Sequence, residues 1–361
     1  MTVHVRRSRR IRGVLFAALC ACAPLTASAH VKWFEPAQRH PLRLDLVLSG
    51  RTALAVGVAA LAVVALFFLQ RLLGDHYWPR LQLFDRMAIG APTLLAVQAA
   101  VTLIASGAHV DLFAPDLPLP RTVLGFGLVA MEIAIAFSLI TGLGDWIGGV
   151  ALILLGPIAF FLFPVTDVLD QLYWAGIGVF VLVIGRTAVE AGKARPWFRR
   201  LDRASGMQAV AALRVIVGLA IIAPGLSEKV WNPALGAAFL ADNPSFNFMR
   251  VIGMSWFTDE RFVLAAGVTE VVVGVLLVSG LLTRVVIIGM WLPFNLGVPF
   301  LPPQELIGHL PIFGIMYVLL VHGPGLGPRE WIGRWLLAER AEDPSSSVAS
   351  VTRKEHAARL F

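Results

Sequence analysis

Phe262-Val-Leu-Ala-Ala-Gly-Val-Thr-Glu270-Val-Val-Val-Gly-Val-Leu-Leu-Val-Ser-Gly280-Leu281 is a run of twenty residues with a single ionisable side chain. A helix rises about 1.5 Å per residue, so a run of this length matches a hydrocarbon core of about 30 Å. Comparable apolar runs recur at roughly 52–69, 87–106, 122–141, 147–164, 170–188, 209–226, 284–300 and 306–322. With 57% hydrophobic and 15% charged residues, the chain falls well below the roughly 25% charge of soluble domains. The pattern predicts an all-α integral membrane protein of about nine spans and excludes a soluble multi-domain enzyme.

Residues 1–29 read as a signal peptide. Arg6, Arg7, Arg9, Arg10 and Arg12 precede an apolar run, and Ala27-Ser28-Ala29 forms a small-residue cleavage site. Cleavage makes His30 the mature N-terminus, outside the cytoplasm. Both cysteines, Cys20 and Cys22, lie in this segment, so disulfide exchange and thiolate chemistry are unavailable to the mature chain.

The formal charge of +7 suggests polyanion binding, but the Lys and Arg lie between apolar runs and form no basic face with interleaved aromatics. No nucleic-acid partner is expected, and the charges report topology instead. With His30 outside, alternation puts Arg71, Arg80, Arg86, the basic 190–208 linker, Arg284 and the 326–361 tail on the cytoplasmic side. The outward loops carry Asp111, Asp116, Asp167, Asp170, a long 227–261 segment with room for a structured cap, and Glu305. The expected location is the cytoplasmic (inner) membrane.

A constant shift of 138 positions pairs Glu132 with Glu270, Gly142-Leu143 with Gly280-Leu281, Pro164 with Pro302, Gly176 with Gly314 and Gly185 with Gly323. Matched Glu, Pro and Gly do not follow from hydrophobic bias. The reading is two repeats, 86–189 and 209–325, of four helices each. An even helix count makes both enter from the same face, which predicts two parallel four-helix bundles beside the extra span of 30–85.

In the second repeat, Arg214-Val-Ile-Val-Gly218, Gly225, Lys229, Glu270-Val-Val-Val-Gly274 and Gly280-Leu-Leu-Thr-Arg284 resemble the DoxX family of small four-helix membrane proteins. The first repeat resembles it more faintly, through Arg86-Met-Ala-Ile-Gly90 and Glu132. It lacks a counterpart of Lys229 and has Asp145 where the second repeat has Thr283. Members of that family are similar to subunits of thiosulfate:quinone and related quinone-linked oxidoreductase systems. The resemblance implies a membrane redox setting, with quinone as the lipid-soluble species and an extracytoplasmic redox protein as partner.

Glu132 and Glu270 fall near the middle of their helices, where an ionised carboxylate costs a few kcal/mol or more. Each is either half of an inter-helix staple, Glu270 with Arg214 and Glu132 with Arg86, or a proton- or ligand-binding group. Lys229, just past the outer end of its helix, can snorkel to the interface or meet an anionic head or quinone carbonyl. His309, near the outer start of the last span, can protonate a quinol oxygen or serve as an interfacial hydrogen-bonding residue. His30, His40 and His109 share the outer side and offer a copper-type ligand set, which their spacing does not otherwise support. The tryptophans fall mostly at expected interfaces as an aromatic belt.

Three functions compete on these residues: a quinone-linked accessory subunit, a transporter of a small solute or metal ion, and a non-catalytic scaffold. All share one topology, which reporter fusions check: signals from the 227–261 loop should report the outside and those from the linker and C-terminus the cytoplasm. An external C-terminus would overturn the nine-span reading.

Overall fold

The computed structural model describes residues 31–33, 35, 39–73, 82–185, 203–297 and 303–326. The expected signal peptide and His30, most of the linker and nearly all of the tail lie outside these residues. Among the described residues twelve α-helices follow one another: α1 Gly50–Leu73, α2 Gln82–His109, α3 Val123–Thr141, α4 Asp145–Leu162, α5 Val165–Asp170, α6 Tyr173–Ile184, α7 Arg203–Pro224, α8 Pro233–Asp242, α9 Phe248–Val251, α10 Asp259–Ser279, α11 Thr283–Gly297 and α12 Pro303–His322. Six helical segments among the described residues are long and apolar enough to cross a membrane: Gly50–Leu73, Arg86–His109, Val123–Thr141, Asp145–Leu162, Gly206–Val230 and Asp259–Ser279. Among the described residues the regular structure is thus all helical, that of a multi-pass membrane protein. The expected helix at 170–188 is shorter, because it starts after the separate turn of α5 and ends at Gly185, whose φ is 68°.

Consecutive long helices are neighbours. α2, α3, α4 and α6 pack in sequence, as do α7, α10, α11 and α12. α2 also runs along α12 and α6 along α7, so each half contributes its first and last long helix to the contact with the other. Exchanging the halves maps one of these contacts onto the other. α1 packs against α10, and its remaining apolar surface, including Leu54, Leu61, Phe68 and Leu72, is exposed.

Two glycine pairs set the approach of α7 to α10. A Cβ on Gly274 would stand 2.6 Å from the Gly218 carbonyl oxygen, and one on Gly267 would stand 2.8 Å from that of Gly225. Between membrane helices the attraction is van der Waals contact and hydrogen bonding, so backbones close in where side chains are missing. Gly149 and Gly178 do the same for α4 and α6, with a Cβ on Gly178 falling 2.7 Å from the Gly149 carbonyl oxygen.

The last carbonyls of a helix have no partner within it, and leaving them bare in a low-dielectric region costs several kcal/mol. Arg214 meets this need for α10: its guanidinium donates to Leu277 O, to Val278 O at 2.8 Å and to Pro324 O at 2.8 Å. Arg284 does the same for α12, donating to Leu320 O and Val321 O at 2.9 Å. Each guanidinium lies over a glycine in the left-handed region, Gly280 at φ 75° and Gly323 at φ 80°, where a side chain would displace it. The expected Arg214–Glu270 staple is therefore not formed.

At the opposite end, α8, the turn Pro244–Phe246 and α9 form the cap expected within 227–261. Leu235, Phe239, Leu240, Phe262 and Val263 make a small second core, and Val31 is buried in it. Residues 39–52 are strapped alongside: Asn232 Nδ2 donates to His40 O at 2.6 Å, Arg43 N to Trp231 O at 3.1 Å and Trp231 Nε1 to Thr52 Oγ1 at 2.9 Å.

Gly274→Ala should destabilise the protein by about 1–3 kcal/mol through overpacking. Gly127→Ala on α3, where a Cβ would meet nothing within 4 Å, should be neutral or better. Thermal unfolding in detergent measures both.

Candidate functional site

Pro224 lacks the N–H that would continue the α7 ladder, and the chain widens directly after it into a π-helical turn, Gly225–Val230. Such turns are rare and concentrate at functional sites. This one carries Glu228 and Lys229, both buried. Gly225 and Gly267 draw it against α10, which places Lys229 Nζ 2.9 Å from Glu270 and 3.9 Å from Glu228.

Lys32 meets the same turn from the other side. Its short helical turn, Val31–Trp33, is anchored through Val31 in the cap, and its ammonium lies 2.6 Å from Asp170, 2.9 Å from Asp167 and 3.4 Å from Glu228. Asp167 and Asp170 come from α5 in the first half, whereas Glu228 comes from the second. The ammonium therefore ties the halves together. Burial opposes its charge, but Asp170, Glu228 and Asp167 more than offset this and raise its pKa. Asp170 is held protonated well above the usual carboxylate range by burial and by the nearby Glu228, against the pull of Lys32. Two bare negative charges brought close together out of water repel strongly, which favours the protonated form of one of them.

A third carboxyl arrives on the loop between α2 and α3. This loop re-enters the bundle, burying Leu112, Phe113, Ala114 and Leu117. Val110 and Phe113 have φ of 64° and 68°. Non-glycine residues in that region cost about 1–3 kcal/mol each and persist only where the surroundings enforce them. Here Leu112 N donates to Leu117 O at 2.8 Å, Leu119 N to Val110 O at 2.9 Å, and the Phe113 ring stacks on Trp174 with centroids 5.3 Å apart. The loop places Asp116 facing Lys32, Asp167 and Glu228. Burial pushes its pKa up to about 7, with Lys32 lowering it and Asp167 and Glu228 raising it.

The assembled site holds the carboxyls of Asp116, Asp167, Asp170, Glu228 and Glu270 against the ammonium groups of Lys32 and Lys229. Acids outnumber bases in this set, and burial and the neighbouring Glu228 hold Asp170 protonated.

Geometry sorts the candidate residues. Lys229 and Glu270 belong to the site, and Lys229 is buried in an ion pair instead of snorkelling. Arg214 is a helix cap. Glu132 is fully buried, but its Oε1 accepts from Phe113 N at 2.8 Å, while Arg86 is exposed near the start of α2, so that staple is not formed either. His309 is buried on α12, which carries none of the clustered groups. His40 Nε2 lies 3.2 Å from Glu35, and His109 Nδ1 lies 2.8 Å from Ala105 O in its own helix. Among the described residues no group of three His, Cys, Asp or Glu side chains is arranged to hold a metal ion. Lys229, a candidate donor to a quinone carbonyl, is paired with Glu270.

Lys32, Glu228, Asp116, Asp167 and Asp170 do not stand out as site residues in the sequence, where the aspartates report only sidedness. One signal is present: Glu228-Lys229 follows Pro224-Gly225 at the end of an apolar run, a charged pair at a helix break. Comparison of the chain with protein-family models, curated proteins and solved structures gives no match.

Breaking a buried pair on one side leaves an uncompensated charge and costs about 3–5 kcal/mol. Lys229→Met should destabilise by that order, and adding Glu270→Gln should recover much of the loss. A double-mutant cycle by denaturant unfolding measures the coupling, and additive losses would show that the pair is not coupled.

Proposed function

We propose that the chain is a DoxX-like, quinone-linked subunit of the cytoplasmic membrane whose buried cluster exchanges protons with a quinone-type substrate dissolved in the lipid. The observation that carries this reading is the set of contacting carboxyls and ammonium groups at one end of a membrane-spanning bundle, with more acids than bases. A quinol oxidised by an extracytoplasmic redox protein loses its hydroxyl protons as its electrons leave, and the cluster's carboxylates take them up. Reduction of the quinone reverses both transfers. In this reading the nine apolar segments all cross the membrane, the two repeats lie parallel about an axis along its normal, and the cluster faces outward, where the mature N-terminus contributes Lys32.

A second reading, transport of a small cation, is favoured by the π-helical turn. Transporters commonly build their substrate and coupling-ion sites where a helix is interrupted. Here the interruption carries Glu228 and Lys229 and lies against α10.

The test is binding of a short-chain quinone to the purified protein in lipid nanodiscs. The wild type should bind, and Lys229→Ala should weaken binding about tenfold or more, equivalent to about 1.4 kcal/mol. Arg86→Ala, remote from the cluster, should bind as the wild type does. No detectable binding by the wild type would overturn the quinone reading and leave cation transport ahead.

A further inference from the structure

The clustered carboxyls differ in depth. Glu228 is 0% exposed and Asp170 1%, Asp167 retains 12% of its side-chain exposure, and Asp116 is partly open to water. Asp116 also sits on a loop that stays in place only under constraint. Its neighbours are Lys32 from the N-terminal turn, Asp167 from α5, Glu228 from the π-helical turn and Tyr173 from α6. The constraint comes from α3: Glu132 Oε1 accepts the Phe113 N–H at a residue of positive φ, 2.8 Å away and out of reach of water. That amide has left any helical ladder, and burying it without an acceptor is unfavourable. Glu132 faces Phe113 N and, more distantly, Asp111.

We propose that Asp116 is the port through which protons pass between water and the buried carboxyls, and that Glu132 is the positioning residue that holds it there. This rests on the proton-exchange reading of the cluster. The transfer moves a proton only: an O–H bond at Asp116 breaks as one forms on the carboxylate of Asp167 or Glu228, and Asp116 is then reprotonated from water. Glu132 acts as a hydrogen-bond acceptor and takes no part in the relay, so its charge is dispensable while its oxygen is not.

The test is an infrared pH titration of the full-length protein in nanodiscs, following the carboxyl band that Asp116→Asn removes. In the wild type this band should titrate near pH 7, because the partly exposed Asp116 is still largely desolvated and lies near the acids Asp167 and Glu228. Glu132→Gln keeps an acceptor for Phe113 N and should leave the titration in place. Glu132→Leu removes the acceptor, releases the loop into water and should move the midpoint toward the ordinary aspartate value of about 4. A Glu132→Leu protein that titrates as the wild type does would overturn the positioning role, as would a Glu132→Gln protein whose band has moved. If the leucine variant does not fold, the glutamine variant decides alone: an unmoved band supports the role and a moved one overturns it. A wild-type Asp116 band that already titrates near pH 4 would overturn the port. Quinone binding is a separate readout, and its loss or retention leaves the titration result unchanged.

Discussion

An ammonium group enclosed by carboxyls from both halves of the chain is the interaction on which the rest of this architecture turns. Charges removed from water are tolerated only when opposite charges and hydrogen bonds surround them, and Lys32 supplies the positive charge beside Asp167 and Glu228 and a hydrogen bond to Asp170. Bringing those groups together dictates several other features: a separate helical turn at α5, a widened turn after Pro224, a cap that buries Val31, and glycines where α7 meets α10. Each looks like an irregularity when taken alone. Together they deliver side chains of limited reach to one point.

The two ends of the bundle solve different electrostatic problems. At one end, Arg214 and Arg284 each spend a guanidinium on the bare carbonyls of a helix terminus. At the other, lysines and acids meet one another in buried ion pairs. Arginine, always charged and planar, suits the fixed capping role, whereas lysine and the acids change protonation more readily with their surroundings.

The helices were legible because lipid imposes a length and a composition on anything that crosses it: six of the described helical segments are long and apolar enough to cross, and further helices lie on the other three expected apolar runs. The spacing of Gly218, Gly225, Lys229, Glu270, Gly274 and Gly280 was also visible, and every one of those residues has a defined contact. What escaped was partnership. Arg214 and Glu270 are both ionisable and belong to adjacent helices, so pairing them by type was reasonable. The carbonyls that actually bind Arg214 are backbone groups with no sequence signature. Asp167 and Asp170 resembled ordinary loop acids because their burial depends on Lys32, which is 138 residues from Asp170. Local pattern carries no information about a contact at that separation.

That separation bears on the order of assembly. Lys32 leaves the ribosome long before Asp167, Asp170 and Glu228 exist, so the N-terminal turn must wait, without its counter-charges, while most of the bundle is synthesised and inserted. Closing a contact across so long a chain is entropically slow, and it comes after the local helix pairs have formed. The earliest of these residues to be made is therefore among the last to dock, and its docking reports that both halves have already found each other.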